Sequence, residues 1–115
     1  MARRRPSSAA LDRTFAALAD PTRRMLLERI GRQPYRAGDL CRGLSISRPA
    51  VSKHLRVLRH AGLVTVTPQG REMMYRLSPT SSRLEDVRGY VERVSRLWEG
   101  ALEAFKAFAE QEDTR

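Results

Sequence analysis

A single cysteine, Cys41, stands in 115 residues, so no disulfide can close within the chain and a reducing compartment suits it. No apolar run approaches the roughly 20 residues that span a bilayer. The opening Met1-Ala2-Arg3-Arg4-Arg5-Pro6-Ser7-Ser8 lacks the apolar stretch of a secretory signal and reads as a disordered basic arm. No nucleophile–base pair, phosphate-cradling loop or metal-ligand cluster is found, which argues against an enzyme and calls for no cofactor. Acidic residues are the other scarcity: 13 Asp+Glu face 22 Lys+Arg, a formal net charge of +9. What these absences leave is a small cytoplasmic protein with no membrane contact. A polyanionic partner is the expectation, with solubility the bland alternative for the charge.

The charge is unevenly placed. Residues 21–80 carry 12 Lys+Arg against 3 Asp+Glu, a local +9, whereas residues 81–115 carry 6 against 8, a local −2. Uniform solubilisation does not require such a split. A nucleic-acid-facing part followed by an assembly part does. With 41% hydrophobic residues there is enough apolar material for one core.

Periodicity predicts a first helix over residues 8–19, with Leu11, Phe15 and Leu18 as its stripe. Asp20-Pro21 starts a second, running to about Ile30 with Leu26, Leu27 and Ile30 inward and Gly31 as its stop. A short third helix is expected over residues 36–42, with Leu40 and Cys41 inward and Leu44 and Ile46 covering the turn after it. Ser47 caps a fourth over residues 48–60, whose Val51, Leu55 and Leu58 keep i, i+4, i+7. A short helix, a four-residue turn and a longer helix make a helix-turn-helix. Residues 63–67 and 72–77 read as strands around a Pro68-Gln69-Gly70 turn, with Met73, Tyr75 and Leu77 on one face; a hairpin in that place is a wing. From Ser81 or Ser82 to about Gln111 a last helix carries Leu84, Val87, Val91, Val94, Trp98, Ala101, Phe105 and Phe108 at steps of 3 and 4, a heptad seam widened by Tyr90, Leu97 and Leu102. At about 45 Å it is too long for one small body to bury, and a second copy is the economical partner. The domain plan is therefore 1–8 basic arm, 9–80 winged helix-turn-helix, and 81–115 dimerisation helix.

Three motifs carry a family resemblance. They are Ala16-Ala17-Leu18-Ala19-Asp20-Pro21-Thr22-Arg23-Arg24, then Ser47-Arg48-Pro49-Ala50-Val51-Ser52-Lys53-His54-Leu55-Arg56-Val57-Leu58-Arg59, then Ala61-Gly62-Leu63-Val64 leading to Tyr75-Arg76-Leu77. Together they cover about half the chain, and in this order and spacing the chain resembles the ArsR/SmtB winged-helix repressors. The resemblance implies a mainly α fold with a small β-hairpin, a winged helix-turn-helix in the order of four helices, two strands and a fifth helix. It also implies a homodimer through the last helix and the first, repression by operator occlusion, and frequent autoregulation. Metal-sensing members carry a Cys-x-Cys pair before an Asp-Leu; here that stretch is Arg36-Ala37-Gly38-Asp39-Leu40, without thiols. Zinc sensors use His and carboxylates on the last helix, which has no His here. The likeness is to the non-metal branch.

The N-terminal half of a recognition helix meets base edges. Arg48 is thus the candidate for bidentate contact to guanine. Ser47, Ser52 and His54 are candidates for bases or phosphates, Pro49 and Ala50 for thymine methyls, and Lys53 and Arg56 for phosphates. A solvated helix face is the alternative for the stripe, and capping for Ser47. Arg71 at the wing tip is either a backbone contact or a solvated turn charge; Arg3, Arg4 and Arg5 fit a minor groove less well than a plain tail. The dimer seam is assigned to Phe15, Leu84, Val87, Val91, Val94, Trp98, Ala101, Phe105 and Phe108, an effector pocket around Trp98, Phe105 and Phe108 being the alternative. His54 and His60, six apart, face different ways and cannot share a metal; His60 complements the helix dipole. Cys41 reads as a small buried hydrophobe, with a redox sensor as the alternative. A metal- or redox-responsive relative and a winged-helix protein-interaction module are the rival functions. The partner expected is double-stranded operator DNA, as an imperfect palindrome.

Overall fold

The computed structural model describes residues 8–79 and 83–113; the arm residues 1–7 and the expected start of the last helix at Ser81 or Ser82 lie outside them. The elements run α1 (Ser8–Leu18), α2 (Pro21–Arg32), β1 (Tyr35–Arg36), a 3₁₀ turn (Asp39–Cys41), α3 (Arg48–His60), β2 (Val64–Gln69), β3 (Glu72–Leu77) and α4 (Arg83–Asp113). The fold is mainly helical with a small antiparallel sheet.

Four α-helices stand among the described residues where five were expected. The short third helix is replaced by the strand β1 and a single 3₁₀ turn. Pro34 favours extended backbone just before it, and Tyr35 and Arg36 find partners on β3, pairing with Tyr75 and Met74. The sheet therefore has three strands in the order β1-β3-β2 rather than two. Only Asp39 to Cys41 remains to coil, enough to bury Leu40 fully. Arg29 holds this turn from α2, its Nη1 donating to the carbonyls of Leu40 (3.4 Å) and Arg42 (3.1 Å).

Gly31 does not stop α2. The helix continues to Arg32, and the extended Gln33 ends it. Nor is Pro68-Gln69-Gly70 the wing turn. Gln69 pairs with Glu72, leaving Gly70-Arg71 as a two-residue loop. Gly70 has φ +65° and Arg71 a negative φ, the pattern of a type II′ turn, whose twist suits a hairpin.

The core joins Ala17, Leu26, Ile30, Leu40, Val51, Leu55, Leu58, Ala61, Leu63 and Val64. On α1 the fully buried line is Ala10, Thr14 and Ala17, one position off the expected stripe. Small side chains let the helix approach closely, and the Thr14 hydroxyl is satisfied by donating to the Ala10 carbonyl at 3.0 Å. The larger Leu11, Phe15 and Leu18 are half-buried at its edges. Phe15 meets Tyr90 of α4 edge-to-face, ring centroids 5.3 Å apart.

Beyond that contact α4 leaves the body. At 1.5 Å per residue its 31 residues extend about 46 Å. The radius of gyration is 19.8 Å, against about 13 Å for a compact chain of this size. Leu97, Trp98, Leu102, Phe105 and Phe108 are each 59–73% exposed in the single chain. The helix is not apolar enough to cross a membrane.

Candidate nucleic-acid interface

Helix α3 is built to present one face. Ser47, extended at φ −72° and ψ 157°, accepts from the Ala50 N–H at 3.3 Å, and Pro49 sits in the first turn. The other end closes on Gly62, with φ +78°. Gly62 donates to the Arg59 carbonyl at 3.0 Å and Leu63 to the Leu58 carbonyl at 3.1 Å, the paired bonds of a Schellman motif. Between these ends Val51, Leu55 and Leu58 are locked in the core. That anchoring fixes which way the rest points: Arg48, Pro49, Ser52, Lys53, Arg56, Arg59 and His60 are all exposed. The face they form holds four Lys or Arg and no carboxylate.

Ser47 is exposed as well, and its hydroxyl proton is left over after the cap is made. Arg71 is exposed at the tip of the wing. The wing's one carboxylate, Glu72, is neutralised by Arg36 of β1, Nε to Oε2 2.6 Å, so the cations of the wing stay in excess.

His54 departs from its group. It is half-buried, and its Nδ1 lies 3.2 Å from Nη1 of Arg23. A guanidinium can only donate, so Nδ1 accepts and the ring proton sits on Nε2. Arg23 is the residue that sequence reasoning passed over. Its Nε donates to the Ala17 carbonyl (2.8 Å) and its Nη2 to the Ala16 carbonyl (3.0 Å), while Nη1 also approaches Asp20 Oδ2 at 3.9 Å. Arg24 takes the Leu18 carbonyl at 2.7 Å. Asp20 in turn accepts from the N–H groups of Thr22 (2.8 Å) and Arg23 (3.1 Å). The Asp-Pro-Thr-Arg-Arg run thus starts α2, ties off the orphan carbonyls of α1 and reaches α3. Its signal was present, because two arginines at the third and fourth positions after an N-cap are placed to reach back over the preceding helix end. The Asp20 carboxyl is held below its ordinary range, first by the Arg23 backbone N–H and further by that of Thr22 and by the Arg23 guanidinium.

Cys41 is half-buried and directs its thiol to the Ala37 carbonyl at 3.7 Å. Among the described residues no three His, Cys, Asp or Glu side chains come together to hold a metal ion.

Known proteins share this arrangement. Residues 18–67 match a family described as a helix-turn-helix domain. An HTH-type transcriptional regulator of Mycobacterium tuberculosis is 42% identical over 88% of this chain and 90% of its own. Transcriptional repressor SdpR of Bacillus subtilis is 33% identical over 61% of this chain and 78% of its own. The solved structure of an ArsR-like transcriptional regulator from Rhodococcus sp. RHA1 superimposes with a TM-score of 0.69 at 38% identity, covering 88% of this chain and 93% of that one.

Proposed function

Because the chain belongs to the ArsR/SmtB family of winged helix-turn-helix transcriptional regulators, we propose that it is a sequence-specific DNA-binding repressor. It acts as a homodimer on an imperfect palindrome, one site lying upstream of its own gene. The observation that carries this reading is the face of α3: an exposed, carboxylate-free row of cations on a helix whose opposite side is fixed in the core. Arg48 reads a guanine, Ser47, Ser52 and the Nε2–H of His54 reach bases or phosphates, Pro49 packs on thymine methyls, and Lys53, Arg56 and Arg71 hold phosphates.

The dimer reading is supported by the apolar seam of α4. Leu84, Val87, Val91, Val94, Trp98, Ala101, Phe105 and Phe108 line up over the helix, and its distal half is uncovered in one protomer. A contiguous row of large apolar side chains marks an association surface in soluble proteins. Phe15, already against Tyr90, braces the base of that rod from α1. Pairing two such rods sets two α3 helices in successive major grooves, about 34 Å apart. Blocking the promoter represses it. Footprinting on the DNA upstream of the chain's own gene, repeated at rising salt, tests the proposal. Protection of a two-fold symmetric site with steeply salt-dependent affinity is expected. Salt-independent or absent duplex binding overturns it in favour of a protein-interaction module.

A further inference from the structure

His54 stands at the border of the exposed face of α3. It follows the exposed Lys53 in the chain, while Val51 and Leu58, one turn to either side, are in the core. Its half-buried ring turns Nδ1 to the Nη1 of Arg23, 3.2 Å away. That guanidinium is itself held in place. Its Nε donates to the Ala17 carbonyl at 2.8 Å, its Nη2 to the Ala16 carbonyl at 3.0 Å, and Nη1 lies 3.9 Å from Asp20 Oδ2. With every nitrogen of the planar fork engaged, the Nη1–H cannot swing away without breaking bonds to α1. Nδ1 therefore carries no proton, because an N–H set against another N–H would leave both unsatisfied. A ring turned over would bring Cδ2–H to the same place and lose the bond, so ring orientation is fixed along with the tautomer. The neutral ring keeps its one proton on Nε2, the nitrogen farther from the helix. No described residue bonds Nε2, and among the described residues no buried side-chain nitrogen or oxygen lacks a partner, so Nε2 is open to solvent.

We propose that Arg23 is a positioning residue of the DNA-reading face: by holding Nδ1 of His54 it leaves Nε2–H as the ring's only polar group toward DNA, so that His54 meets a hydrogen-bond acceptor there and rejects a donor. The acceptors that fit are a purine N7 on the major-groove edge and a phosphate oxygen, whereas the amino groups of adenine and cytosine do not. An imidazole without such a partner carries its proton on either nitrogen and offers DNA a donor or an acceptor in turn. Arg23 removes that choice from outside α3, its own guanidinium being occupied by α1, Asp20 and the ring. The contact with DNA rests on the function proposed above; the fixing of the tautomer does not.

The test uses the full chain and begins without DNA. His54 and His60 are its two histidines, so nitrogen-15 spectra of the histidine-labelled protein above neutral pH resolve both rings, and His54→Asn identifies the signals of His54. A protonated Nε2 and a bare Nδ1 are expected at His54, with both tautomers appearing in Arg23→Met. A proton on Nδ1 in the wild type overturns the proposal, as does an unchanged His54 spectrum in Arg23→Met. Operator affinity then shows what the fixed ring does. His54→Asn keeps an acceptor for Arg23 but lacks the distal donor, and should weaken binding about three- to tenfold. Arg23→Met should weaken binding alone and add less than about twofold in the His54→Asn background, since it acts through that ring. Fully additive losses, which a merely structural Arg23 predicts, overturn the proposal. Where Arg23→Met fails to fold, the wild-type spectrum and His54→Asn still decide: wild-type affinity in His54→Asn overturns it. Placing 7-deazapurines and, in a parallel series, methylphosphonates across the half-site locates the acceptor. One series should contain a position that costs the wild type and not His54→Asn; no such position in either overturns the contact. A chain with the expected tautomer that binds no duplex sinks the function proposed above and leaves the setting of the ring by Arg23 standing.

Discussion

Arg23 does the work of four contacts with one side chain: two carbonyls of α1, the Asp20 carboxylate and His54 of α3. A planar fork reaches these partners at once, whereas an ammonium is a single point. Arg23→Lys should therefore fail to restore what Arg23→Ala loses, both variants falling by about 1.5–3 kcal/mol in urea unfolding. Asp20 gives a pH signature. Its native carboxyl lies below the ordinary 3.8 of an unpaired one. The stability it contributes is whole above that value and is lost as pH falls through the lowered native one. Acid unfolding followed by circular dichroism should be steeper below about pH 4 in the wild type than in Asp20→Asn.

For a single element, the recognition helix, structural and functional residues can be separated by which face they occupy. Ser47→Ala should cost about 1 kcal/mol of stability by removing the N-cap. Arg48→Ala and Arg56→Ala should spare stability and differ in binding. The first is expected to lose about 1–3 kcal/mol and to relax preference at one base position. The second should weaken all sequences alike and reduce the salt slope by about one per protomer. Competition binding with a panel of single-base operator variants at two salt concentrations distinguishes them. The element that sequence misjudged, residues 36–42, shows the limit of local patterns. Two strand pairs with β3 and the Arg29 bonds come from segments distant along the chain, and they outweigh the weak helical preference of a seven-residue run containing Gly38.

At the scale of the whole molecule, the proposed function divides the labour between a compact head and a projecting rod, along the split in charge. Trp98→Glu with Phe105→Glu places like charges along the α4 seam while leaving every core contact of the head untouched. Sedimentation should show a monomer whose head keeps its thermal unfolding, and operator affinity should fall by far more than any one base contact is worth, since the second half-site is lost. A dimer that persists in this variant would move the interface elsewhere.

Period and capping chemistry encode four of the five expected helices to within a residue or two at their ends, and with them the hairpin, the cationic face of α3 and the apolar seam of α4. Each of these is a local repeat read against the core or against water, so neighbours in sequence suffice. Tertiary structure alone decided the third strand, the small-residue line of α1 and the turning of His54 toward Arg23. All three depend on surfaces brought together from distant segments, where close packing and hydrogen-bond satisfaction outweigh the preference of any one residue.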